Sequence, residues 1–244
     1  MSIKSREILY SKYHSSFKSI TSSDDKKNIK NLFEHYDYKI YPLIKGFDKS
    51  SNILELGCGP GYLINYLSSK GFNKIKGIDI SKEQIQIAKA ANYDVMEIDV
   101  FEFFKNNNEK YDLIFAFDFL EHFTKDELIE LSHIIYENLN DNGIFLARTP
   151  NGQGVFAGYV IYGDLTHQTI FNPNSFIQLM SQAGFEKIVC FENGPVAKNL
   201  KGLIRKIVWE YFKLNLNIFR LSEIGGRTDI LTQDFYGICY KKSL

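Results

Sequence analysis

Ile53-Leu54-Glu55-Leu56-Gly57-Cys58-Gly59-Pro60-Gly61 is the stretch that decides how this 244-residue chain folds. It reads as a short buried strand with an acid near its end, then glycines at every second position, then the start of a helix. Glycine has no Cβ and accepts positive φ at little steric cost. Gly57, Gly59 and Gly61 therefore leave room where a ligand must touch backbone. Glu55 lies inside the strand, where an unpaired carboxylate is costly. A cationic ligand would supply its partner. A plain structural turn is one competing reading, and a dinucleotide site is another. The dinucleotide fingerprint is G-x-G-x-x-G, with pyrophosphate on the helix N-terminus. Here position 62 is Tyr, and Glu55 has the wrong sign beside a pyrophosphate. A ligand carrying an ammonium and a sulfonium suits the same carboxylate.

The acid-then-GxGxG pattern resembles the first motif of the class I S-adenosylmethionine-dependent methyltransferases. Three further strand ends carry polar residues in the order that resemblance implies. The second strand, KIKGIDIS, ends at Asp79, followed by Ile80. A carboxylate there accepts both hydroxyls of a ribose, although the same residue with Ser81 also suits a helix cap. The third strand, VMEIDVFEFF, ends at Asp99, which can accept from an adenine amino group while Val100 and Phe101 flank the ring. Its competing role is again a cap. The fourth, YDLIFAFDFLEHF, stops being apolar at Asp118. The run from Asp118 to His122 resembles the DxLEH motif of small-molecule methyltransferases, including quinone-pathway O-methyltransferases. That resemblance implies that Asp118, Phe119 and His122 line the methionine side of the donor. With Glu55, Gly57, Cys58, Gly59 and Gly61 they complete the expected cofactor site. S-adenosylmethionine is the cofactor implied, and S-adenosylhomocysteine the product.

Composition bounds the partners. Formal net charge is zero, which disfavours a nucleic-acid binder that relies on phosphate attraction. The motif after the fourth strand also differs from the Asn/Asp-Pro-Pro-aromatic pattern of base methylation. Cys58, Cys190 and Cys239 are widely spaced, with no disulfide or zinc framework, so a reducing cytoplasm is the expected setting. The N-terminus lacks a signal-like apolar core, and no run approaches a membrane span.

Along the chain, residues 1–27 read as a polar mobile arm. Residues 28–244 read as one domain. Ile29, Leu32, Phe33, Tyr36, Ile40 and Ile44 recur at near-helical spacing. Strands are expected near 52–56, 75–79, 93–98, 111–117, 143–148, 185–192 and 233–241. Helices are expected near 61–70, 82–91, 100–107, 125–139 and 173–183. This alternation predicts an α/β, Rossmann-like fold with a seven-stranded, mostly parallel sheet covered on both faces. The resemblance implies an antiparallel last strand. A helical insertion, 193–232, precedes that strand. It carries an apolar stripe of Leu200, Leu203, Ile204, Ile207, Val208, Tyr211 and Phe212. Lys198, Arg205, Lys206, Trp209 and Lys213 lie on its other side. The stripe reads as a packed surface helix with a solvated charged face, as a cap meeting an anionic acceptor, or as a dimer contact.

The acceptor belongs near residues 149–185. There the stretch GDLTHQTIF, 163–171, resembles methyltransferases of bacterial surface-polysaccharide gene clusters. A hydroxyl acceptor benefits from a base near neutral pH. His167 is the candidate base, with Asp164 to orient it; the competing role for His167 is a loop anchor. Asn151, Lys198, Lys201 and Arg205 are the candidate acceptor-binding residues. Tyr10, Tyr13 and His14 would close over the donor, as arms do in similar enzymes. No motif requires a metal ion and none is expected; Glu121, His122 and His167 are the residues that could converge on one. The reading is an O-methyltransferase acting on a small, phosphate-bearing acceptor in capsule or surface-glycan assembly, as a monomer or homodimer. Its rivals are quinone-pathway O-methylation, a silent donor-binding partner protein and an NAD-dependent oxidoreductase.

Overall fold

The structure is a computed structural model that describes residues 8–10 and 25–242. The expected arm, with Tyr13 and His14, lies outside the described residues except at 8–10 and 25–27. Helices α1 (Asp25–Lys39) and α2 (Tyr41–Ile44) precede β1 (Asn52–Leu56). The alternation follows with α3 (Tyr62–Ser69), β2 (Lys74–Asp79), α4 (Lys82–Ala90), β3 (Val95–Glu97), α5 (Val100–Asn106) and β4 (Tyr111–Phe117). After a 3-10 turn at Leu120–His122 come α6 (Lys125–Asn138), β5 (Leu139–Pro150), α7 (Ala157–Ile161) and α8 (Pro173–Gln182). The chain ends through β6 (Lys187–Glu192), α9 (Leu200–Ile224) and β7 (Asp234–Tyr240).

The sheet has seven strands in the order β3-β2-β1-β4-β5-β7-β6. Strands β1 to β5 pair in parallel, and β7 runs antiparallel between β5 and β6. The expected mixed, seven-stranded fold is what the chain adopts. Each central strand feeds both faces of the sheet, because side chains alternate along a strand. In β1, Leu54 and Leu56 pack towards α5, α6 and α8, while Ile53 packs towards α1 to α4. Strand order reverses between β1 and β4, so the helices after them diverge to opposite faces. A crevice opens there beyond the strand ends.

Caps set where helices begin. Thr124 and Glu127 form a reciprocal capping box at α6, and Asn172 with Ser175 forms another at α8. Short α7 was not expected from the sequence.

Helix α9 corrects one reading of the insertion, that of a packed surface helix with a solvated charged face. Its apolar stripe faces solvent: Ile207 is 60% exposed and Tyr211 63%. Its polar side faces the body. Glu192 accepts from Trp209 Nε1 at 3.3 Å and from Lys213 Nζ at 3.1 Å. Asn217, which is buried, exchanges two hydrogen bonds with the Thr228 backbone. Polar anchors from neighbouring loops therefore decide which side is inward, against the hydrophobic pattern. No described helix is long and apolar enough to cross a membrane.

Candidate active site

The crevice at the β1/β4 switch is a cavity of about 340 Å³. Glu55, Gly57, Cys58, Gly59, Asp79, Ile80, Asp99, Val100, Asp118, Phe119 and His122 all line it. Residues from four strand ends, far apart in sequence, thus line one cavity. Gly61 and Phe101 do not line it. Gly61 takes φ 85° at the N-cap of α3, where a Cβ would lie 2.6 Å from the Tyr93 ring. Its role is the turn. Phe101 packs edge-on against Phe123 instead.

The glycines shape the cradle by close approach. Gly57 has φ 70° and Gly59 φ 53°. A Cβ on Gly57 would meet Phe119 at 2.6 Å, and one on Gly59 would meet Gln84 Oε1 at 2.8 Å. Asp79 holds this loop in place: it accepts from Gly59 N at 2.9 Å and from Ser81 N at 2.7 Å. Asp99 Oδ1 caps α5 through Phe101 N at 2.9 Å. Both acids therefore do fold work as well as lining the cleft.

Glu55 is 5% exposed, and its Oε2 has no hydrogen-bond partner. Burial, and then the nearby Asp79 carboxylate, push its pKa well above the usual range. A buried carboxylate oxygen that lines a cavity without a partner is costly, and a cationic group would offset that cost.

Arg148 was absent from the sequence reading. It lines the cleft from β5, and its Nε donates to Asp118 Oδ1 at 3.0 Å while Nη2 donates to Oδ2. Asp118 itself has φ 51°. An arginine inside the apolar run FLARTP was the available signal. Tyr36, from α1, also lines the cleft and was placed only in a helix.

Beside the cleft, Glu121, His122 and His167 come together, with one potential ligand atom from each within 4.8 Å of the others. The His122 and His167 rings are 5.1 Å apart. Glu121 is 1% exposed; its Oε2 accepts from Thr149 Oγ1 at 3.1 Å, and its Oε1 has no partner. Thr166 Oγ1 donates its one hydrogen to Asp164 Oδ1 at 2.6 Å and lies 2.9 Å from His122 Nδ1. His122 Nδ1 must then be the donor in that contact, which leaves the lone pair on Nε2. His167 Nδ1 lies 3.1 Å from the Ile161 carbonyl, which can only accept. Its lone pair is on Nε2 as well. Burial, reinforced by His167, lowers the His122 pKa to about 4, so this ring is neutral near pH 7. Asp164 thus orients His122 through Thr166. The Asp164 carbonyl also accepts from the His167 N–H at 3.4 Å.

The other acceptor candidates lie elsewhere. Asn151 is fully buried: its Nδ2 donates to the Ile230 and Thr232 carbonyls, and its Oδ1 accepts from Gln153 N. It joins loops and offers nothing to an acceptor. Lys198, Lys201 and Arg205 line a second cleft, of about 710 Å³, with His35, Trp209 and Asp234. Lys198 pairs there with Glu34 of α1. The two clefts share no lining residue. Between them Arg148 reaches from Asp118 towards Asp234, 3.9 Å away. Tyr10 lines the first cleft and stands edge-on to His122.

Comparison with known proteins agrees with this geometry. A family described as a methyltransferase domain matches residues 29–189. A ubiquinone biosynthesis O-methyltransferase of Rickettsia canadensis is 25% identical over 185 residues, covering 68% of this chain and 71% of the relative. A SAM-dependent methyltransferase from Archaeoglobus fulgidus has the same fold, with a TM-score of 0.67, 20% identity, and coverage of 87% of this chain and 94% of its own. The plantazolicin methyltransferase BpumL, solved with S-adenosylhomocysteine, aligns with a TM-score of 0.55 at 18% identity, over 99% of this chain and 98% of its own.

Proposed function

This chain belongs to the methyltransferase-domain family, with S-adenosylmethionine as its methyl donor, and we propose that it methylates an oxygen of a small, anionic acceptor. The donor supplies a methyl group on a sulfonium, which an acceptor nucleophile displaces in line. The chain's residues do the rest. The unpartnered Oε2 of Glu55 fits the donor's ammonium, and the Gly57 and Gly59 cradle admits it without a Cβ in the way. Asp79 and Asp99 retain lone pairs for the ribose and adenine. Holding nucleophile and methyl carbon collinear contributes up to roughly 7–11 kcal/mol in well-oriented systems.

The observation that carries oxygen transfer is the His167 ring, 5.1 Å from the cleft-lining His122, with its Nδ1 turned to the Ile161 carbonyl. Its Nε2 lone pair offers a place for the proton that a hydroxyl acceptor must lose. The Lys201 and Arg205 cleft supports an acceptor bearing phosphate, such as a nucleotide-linked sugar or a phosphoramidate-type modification in surface-glycan assembly. The resemblance of residues 163–171 supports the same pathway.

Quinone-pathway O-methylation is the second reading, favoured by the Rickettsia relative. S-adenosylhomocysteine release against an acceptor panel tests both. Turnover with nucleotide-linked anions supports the first reading, and turnover confined to catechols replaces it with the second.

A further inference from the structure

Six large apolar side chains run along the outer face of α9 at spacings that alternate between four and three: Leu200, Ile204, Ile207, Tyr211, Leu214 and Ile218. That is a 3.5-residue repeat, which keeps one seam turned towards a partner helix along its whole length. Each of the six is between 53% and 73% exposed. Phe212 and Phe219, beside the seam, are 55% and 66% exposed. With roughly half of each side chain in solvent, the face presents on the order of 1,000 Å² of apolar area. A monomeric chain rarely exposes a continuous apolar patch beyond a few hundred Å². About 800 Å² from each partner makes a standard interface.

We propose that this face of α9 is a homodimer contact, in which the seam packs antiparallel against the same seam of a second copy, about a two-fold axis near Tyr211. A two-fold contact presents the same patch from both sides, so it must match itself, and an evenly apolar seam does so. A 3.5-residue repeat is what the knobs and holes of a second helix require. A bilayer surface calls for no such repeat, only a broad apolar arc with cations on the polar side. Glu210 and Glu223 are exposed on the same helix, and an anionic lipid surface would repel both.

Charge selects the orientation. Lys198, Lys201, Arg205 and Lys206 gather at the N-terminal end of α9. A parallel pair would set two such clusters side by side, and like charges held together cost free energy. An antiparallel pair sends them to opposite ends and brings Lys201 towards the end that carries Glu223. The seam is also held ready. Glu192 receives Trp209 and Lys213, and Asn217 bonds to the Thr228 backbone, so the opposite side of the helix is fixed to its own chain. Little rotational freedom remains to be lost on association. Each chain therefore folds without its partner, and the contact does not depend on which acceptor is methylated.

The test is sedimentation equilibrium of the full chain from about 1 to 100 µM. The expected result is a concentration-dependent dimer. Ile207→Lys and Tyr211→Lys should each weaken dimerisation by at least about 100-fold. Their denaturation, at a concentration where the wild type is monomeric, should stay close to that of the wild type. Ile129→Lys, at an exposed position of α6, should leave dimerisation unchanged. Under mild oxidation Tyr211→Cys should crosslink two chains, whereas Leu200→Cys, far from the axis, should not. A monomer at every concentration overturns the proposal, as does a dimer unaffected by both lysine variants. Self-crosslinking through Leu200→Cys overturns the antiparallel arrangement. A monomer that binds phosphatidylglycerol vesicles, and loses that binding in Ile207→Lys, gives the seam to a bilayer and overturns the dimer.

Discussion

Arg148 and Asp118 join the ends of two neighbouring strands through paired N–H···O bonds, and they do so in the wall of the donor cleft. The guanidinium side chain is 17% exposed and the Asp118 side chain 41%. That asymmetry predicts unequal costs. In Arg148→Met, the Asp118 carboxylate can still reach water. In Asp118→Asn, the guanidinium loses its paired carboxylate and keeps Asp234, 3.9 Å away, as the next salt-bridge partner. We expect Asp118→Asn to cost about 1–3 kcal/mol and Arg148→Met less. Chemical denaturation of both variants checks this, and the opposite ranking would show that the pair is not desolvated as described.

Glu55 sets stability against donor binding. Its folded pKa stands well above the ordinary glutamate value of 4.5. Below that value it is protonated in both folded and unfolded chains. As pH rises, the unfolded chain releases the proton while the donor-free fold retains it, so the wild type progressively loses stability relative to a neutral isostere. Glu55→Gln should therefore gain stability over wild type as pH rises from 4.5 to 8, by about 1–3 kcal/mol. The same variant should bind S-adenosylhomocysteine at least tenfold more weakly, about 1.4 kcal/mol. Melting without ligand, paired with calorimetry, reads both effects; undiminished donor affinity would remove Glu55 from the donor site.

Asp79 works through two bonds to the glycine loop and its helix. Asp79→Ala should weaken donor binding and also loosen that loop. Asp79→Asn keeps one acceptor oxygen and should lose less stability. Wild-type affinity for S-adenosylhomocysteine in the Ala variant would mean that the ribose sits elsewhere.

His167 stands behind His122 at the cleft wall. His167→Ala should lower turnover by roughly 10²–10⁴-fold with donor affinity nearly intact. A change in turnover of less than about threefold would exclude it from the chemistry.

The outward apolar face of α9 makes a stability prediction. Ile207 is 60% exposed, so Ile207→Lys should change stability by no more than about 0.5 kcal/mol. Glu192, by contrast, receives Trp209, Lys213 and the Leu231 N–H. Glu192→Ala should cost about 1–3 kcal/mol. A large loss in the Ile207 variant would mean that the helix faces the other way.

The fold was legible because its signals are local and repeated. Apolar runs ending at Leu56, Asp79 and Phe117 mark strands at any packing, and glycine spacing marks the turn. The acids at 55, 79, 99 and 118 were legible too, since a carboxylate at a strand end is conspicuous among apolar residues. Sequence leaves capping and cleft lining as competing roles for these acids; Asp99 does both, and Asp79 lines the cleft while accepting from Gly59 N and Ser81 N.

What sequence by itself determined was the order of strands and helices, the seven-stranded α/β sheet and the strand-end acids that line the cleft, because periodicity and turn chemistry act over a few residues. What only the tertiary structure decided was which distant groups meet. Arg148 finds Asp118 because β5 pairs with β4 in that register. Glu121, His122 and His167 converge because the loop after α7 bonds to the 3-10 turn. Asn151 turns inward, and α9 turns its polar side to the body, because buried carbonyls and carboxylates there demand partners. Hydrophobic pattern sets an element's identity, but satisfaction of polar groups across the fold sets which side of it faces in.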